Sequence, residues 1–120
     1  MKDPKQRILT WRAEIATELQ EAVKLVPPLE DAHSTAEAAA HAALADYGEV
    51  QRLIGPVVSQ PEAPFRLRID AHLTEVEQAK SRRTRALADL QAARMKVAGL
   101  QRALGQIDRI IAPADAGEAA

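Results

Sequence analysis

The chain contains no cysteine, which excludes disulfides, thiolate catalysis and cysteine-based zinc sites. That composition fits a reducing compartment. One Trp, one Tyr and one Phe are present, so a large core built on aromatic rings is excluded as well. No apolar run approaches the roughly 18 residues that a membrane span requires, and the N-terminus carries no apolar signal region. Neither secretion nor membrane insertion is expected; the expected location is the cytoplasm, or a virion if the source is a phage. A net charge of −1 implies no global attraction to nucleic acid or to anionic lipid. The sequence has no glycine-rich phosphate loop, no nucleophile elbow, no HExxH and no acidic pair in a recognisable pocket. No enzymatic activity and no cofactor are expected.

What is present is helix-forming composition and a heptad pattern. Alanine, leucine, glutamate, arginine and glutamine dominate, as in long helices. From residue 69 to 111, steps of three and four meet Ile69, His72, Val76, Ala79, Arg83, Ala86, Leu90, Ala93, Val97, Leu100, Leu104, Ile107 and Ile111. Only His72 and Arg83 in that series are polar, and no proline interrupts it. A 3.5-residue repeat keeps one stripe turned to a partner helix, so this is a coiled-coil seam roughly 65 Å long. Such a stripe cannot cover itself.

The earlier half supplies a matching face. Asp3-Pro4-Lys5-Gln6 reads as a helix start, with Asp3 as the capping acceptor and Pro4 in the first turn. Ile8, Trp11, Ile15, Leu19, Ala22 and Val26 form one face, with Arg12 and Glu14 among the residues assigned elsewhere. Pro27-Pro28 is expected to break or sharply kink the helix. Heptad spacing resumes through Leu29, His33, Ala36, Ala40, Ala43, Tyr47, Val50 and Ile54. Gly55-Pro56 ends it, with Gly55 expected in a left-handed closing conformation. Residues 55–64 form a loop, and Ala112-Pro113 stops the last helix.

The expected fold is all-α: an elongated antiparallel helical hairpin, or coiled coil, with its first arm broken at Pro27-Pro28. Helices are expected at about 4–26, 29–54 and 65–111 within a single helical domain covering 1–120, with a frayed tail over 112–120. The alternative is an uneven three-helix bundle in which the first helix folds back at the prolines. In the hairpin, Ile54 is set against Ile69, Tyr47 against Val76, Ala40 against Arg83 and Val26 against Val97.

Four groups of residues are candidates for function. Trp11, Leu44, Leu53, Leu73 and Leu87 are apolar residues on or beside the seam that two helices do not fully cover. They point to self-association or to a protein partner, in an assembly or scaffold role, a phage particle being one such assembly. Lys80, Arg82, Arg83 and Arg85 head a segment, 80–109, with eight basic and two acidic residues, and are the alternative nucleic-acid reading. The competing reading pairs Arg83 and Arg85 with Glu37, and Arg102 with Glu18 and Glu21, across the antiparallel arms. Finally, His33, Glu37 and His41 share a face at spacing four, which can present two imidazoles and a carboxylate to a metal. His72 lies more than two turns from His41 in the expected register, so no metal site is expected.

Overall fold

The computed structural model describes the backbone of residues 3–119 and the side chains of residues 3–111. It is an all-α hairpin of two helices: α1, Pro4–Ile54, and α2, Ala63–Ala119. The chain clusters into two compact units, each an antiparallel helix pair. One combines Met1–Pro28 with Gln91–Ala120, and the other is Leu29–Leu90.

The expected break in the first arm is absent: α1 runs unbroken through Pro27 and Pro28. This also removes the three-helix alternative. The physical reason lies in where the prolines sit. Pro27 and Pro28 are both exposed, as are Val23 and Lys24, whose carbonyls lose their helical donors to the prolines. Water can reach those carbonyls. The flanking Ala22, Val26 and Leu29 are buried or half-buried, and pin the inner side of the helix across the gap in its hydrogen bonding.

At the helix ends one expectation holds and three are corrected. Asp3 does cap α1: its Oδ1 accepts from Lys5 N–H at 3.4 Å and its carbonyl from Arg7 N–H at 3.0 Å. Gly55, however, closes α1 without a left-handed conformation, since no described glycine has positive φ. Its N–H donates to Gln51 O at 2.9 Å, and an added Cβ would stand 3.2 Å from that same oxygen. The helix α2 starts slightly early, at Ala63, with Pro64 in its first turn and Arg66 N–H donating to Glu62 O at 2.8 Å. It also continues past Ala112-Pro113 to Ala119, through a segment rich in alanine, the strongest helix former.

All thirteen seam positions of α2 are buried or half-buried. In α1 the inward positions are Ile8, Arg12, Ile15, Leu19, Ala22, Val26, Leu29, His33, Ala36, Ala40, Ala43, Tyr47, Val50 and Ile54, again with none exposed. Steps of three and four hold throughout. Trp11 is therefore off the seam, 49% exposed, and Arg12 occupies the position assigned to it. Among the described residues the buried ones are few and mostly small: Ala22, Ala40, Val76, Ala79 and Leu90. Alanine at the contact lets the backbones approach closely, but each buries little area.

The register lies one turn from the expected one. In the Leu29–Leu90 unit, Tyr47 packs on His72, ring centroids 5.7 Å apart and tilted by 43°, and not on Val76. Stepping one heptad along each helix sets Ala40 level with Ala79, which accounts for the near-complete burial of both. In the other unit Arg12 meets Asp108. The loop explains the shift. It is shorter than expected, and Val58 and Pro61 are half-buried in it, with Val58 N–H donating to Ile54 O at 2.8 Å. The arms thus meet a turn sooner.

Candidate protein-binding faces

With the inward positions lettered a and d, the flanking positions e and g follow directly. The e rows of the two helices border one side of the pair and the g rows border the other. Thirteen large apolar residues are exposed among the described residues. Nine of them are flankers: Leu9, Val23, Leu44, Leu73 and Leu87 at e, and Trp11, Leu25, Leu53 and Ile110 at g. Soluble surfaces scatter such residues singly, whereas these recur in rows beside a thin seam. Trp11, Leu44, Leu53, Leu73 and Leu87 are exposed by 49%, 36%, 61%, 39% and 38%. Sequence reading set Val23 beside the apolar face of the first helix but overlooked Leu9, Leu25 and Ile110; strict heptad counts through Arg12 in α1 and Ile111 in α2 identify all three.

In the unit containing the termini, the e side carries an apolar groove of about 380 Å³ lined by Val23, Val26, Pro27, Arg94, Val97, Ala98 and Gln101. Val26 and Val97 both line it, but in the register set by Arg12 and Asp108 Val26 lies level with Arg94 and not with Val97 as expected. Further along, Arg12 donates from Nε to Asp108 Oδ1 at 2.7 Å and from Nη2 to Oδ2 at 3.4 Å. This forked pair fixes how the two helices align. The hydrogen bond to Asp108 raises the Arg12 pKa, and the hydrogen bond from Arg12 holds Asp108 below the ordinary carboxylate range. Arg52 and Glu49 form a similar pair within α1, which lowers Glu49 in the same way.

In the Leu29–Leu90 unit, a second groove of about 400 Å³ is lined by Ala32, Thr35, Ala36, Ala39, Ala79 and Arg82 on the g side. Nearby, the His72 imidazole is enclosed on the seam. Its Nε2 is buried, 3.1 Å from Asp46 Oδ2 but out of line for a hydrogen bond, and its Nδ1 is 3.5 Å from Glu75 Oε2. Tyr47 completes its hydroxyl by accepting from Gln51 Nε2 at 3.0 Å.

The basic cluster does not form one stripe. Arg83 is half-buried on the seam, Lys80 lies on the e side beside Glu77 at 3.7 Å, and Arg82 and Arg85 are exposed on the other side. Arg82 and Arg85 share a shallow groove with Thr74, Glu77, Gln78 and Ser81. The expected pairs of Arg83 and Arg85 with Glu37 are not formed, nor those of Arg102 with Glu18 and Glu21. Glu37 instead lies between His33, at 3.7 Å, and His41, at 3.8 Å, and Glu21 takes Lys24 at 3.5 Å. The one-turn register shift moves Arg83 level with Ala36, whose small side chain gives the guanidinium room without a partner. His33, Glu37 and His41 are thus brought together, but among the described residues no group of three or more His, Asp or Glu is arranged to hold a metal ion. Among the described residues no helix is long and apolar enough to cross a membrane.

No known protein family, curated protein or solved structure matches this chain.

Proposed function

We propose that this chain is a non-enzymatic interaction module whose flanking apolar rows dock other protein surface, as a structural component of a larger assembly. The observation that carries the reading is the imbalance between core and flank. Among the described residues Val76 is the one large side chain buried below 2% exposure, while nine large apolar flankers remain in water. Two helices with an alanine-rich seam bury little, and covering the e or g rows with further helices is the usual way such pairs complete a core. The partner is protein, either a second copy or another component. Particles such as phage virions use parts of this kind, a comparison by analogy of fold.

The basic 80–109 segment supports a second reading, association with nucleic acid, on its eight-to-two excess of basic residues. Its four leading cations point to different sides, and Glu77 shares the groove of Arg82 and Arg85. Filter binding to duplex and single-stranded DNA over a salt series separates the two. The proposal expects no retention at low salt; retention with a steep salt slope overturns it in favour of nucleic acid.

A further inference from the structure

We propose that the side of the Leu29–Leu90 unit bearing Leu44, Leu73 and Leu87 docks a second copy of this chain, related by a two-fold axis parallel to the helices. The product is a four-helix bundle. This inference rests on the interaction-module reading and names its partner.

This face is self-complementary. A two-fold axis along the helices lays α1 of one copy over α2 of the other and keeps every residue at its own height. In the observed register Leu44 and Leu73 lie at one height to within about 3 Å, and so do Glu37 and Lys80. Each Leu44 then covers the partner's Leu73, and each Glu37 faces the partner's Lys80. Glu37 is half-exposed, and its present contacts are two histidines at 3.7 and 3.8 Å; Lys80 has Glu77 at 3.7 Å. These exposed contacts are weak and open to exchange. Leu87, two heptads from Leu73 and 38% exposed, comes level with the partner's Glu30 and packs on its aliphatic stem at the edge of the face, so the apolar contact centres on Leu44 and Leu73.

The opposite side fails the same operation. There Asp46 and Glu75 share one height, so the two-fold axis would set carboxylate against carboxylate twice over. Like charges brought together in this way select against that face. Size agrees as well. The 28 residues of α2 in this unit make a face about 40 Å long, and two helices side by side make it roughly 20 Å wide. That is ~800 Å² per copy, the area a standard specific interface takes from each partner.

Sedimentation equilibrium on the full chain tests this. The wild type is expected to move from the 13.0 kDa monomer to twice that mass with rising concentration. Leu44→Lys/Leu73→Lys should weaken dimerisation at least about 100-fold, with helical circular dichroism unchanged. Glu37→Lys and Lys80→Glu should each weaken it about tenfold, and the double swap Glu37→Lys/Lys80→Glu should recover most of the loss. A chain that stays monomeric throughout overturns the second-copy inference. So does a dimer indifferent to Leu44→Lys/Leu73→Lys, or single reversals that the swap does not rescue. None of these touches the wider reading, which fails on the separate result of salt-steep nucleic-acid retention.

Discussion

Replacing both mid-helix prolines with alanine should make this protein more stable. Pro27 removes the donor that would bond Val23 O, and Pro28 the donor for Lys24 O, while α1 continues through both. An interior proline costs about 3 kcal/mol relative to alanine. Two adjacent prolines share much of one distortion, so together they cost about 3 to 6 kcal/mol. Proline also narrows the unfolded chain, and losing two returns about 1 to 2 kcal/mol of that entropy. The net gain for Pro27→Ala/Pro28→Ala is therefore about 1 to 5 kcal/mol, on the order of 10 °C in Tm at mid-range. Urea and thermal unfolding followed by far-ultraviolet circular dichroism measure it. An unchanged or lower stability would refute the reasoning, because it would mean the prolines terminate a helix instead of interrupting one.

Val76→Ala removes two methyl groups from a side chain only 1% exposed and should cost about 2 to 3 kcal/mol in urea unfolding. Gly48→Ala and Gly105→Ala meet open space at Cβ within a helix, so each should add about 0.8 to 1 kcal/mol, additively, since they are far apart in sequence and lie in different units. The Arg12 pair makes stability pH-dependent at the acid end. Because Asp108 is held below the ordinary carboxylate range, its contribution is present above its unfolded pKa and is lost as the pH falls through its folded pKa. Asp108→Asn should accordingly lower Tm at neutral pH and flatten the Tm profile through the acid limb. His72→Leu replaces a half-buried ring whose Nε2 is buried without a hydrogen bond, and should be neutral or stabilising by about 1 kcal/mol in thermal melts.

Much of this fold was legible as a period. The 3.5-residue repeat named every inward residue of α2 and all but one in α1, because burial along a helix pair follows spacing and little else. The exception is instructive. Trp11 was drawn onto the seam by its hydrophobicity, although strict spacing from Leu19 and Ile15 selects Arg12, and Asp108 stands ready as its partner. Pro27-Pro28 misled for a different reason. Proline's cost is local, and the inward packing of Ala22, Val26 and Leu29 on the opposite side outweighs it. The register slipped by one turn because the loop's own packing, through Val58 and Pro61, has no sequence signal of comparable strength. The candidate flanking residues followed from the same period once register was fixed, whereas the cross-arm charge pairs, which depend on register, did not.

Methyl-resolved NMR over a dilution series, from millimolar to micromolar protein, tests most directly whether the flanks are binding surface. The methyl signals of Leu44, Leu73 and Leu87 are expected to shift with concentration while that of Val76 stays fixed. Invariant flank methyls, with amide shifts of residues 80–109 on adding an oligonucleotide, would contradict that expectation.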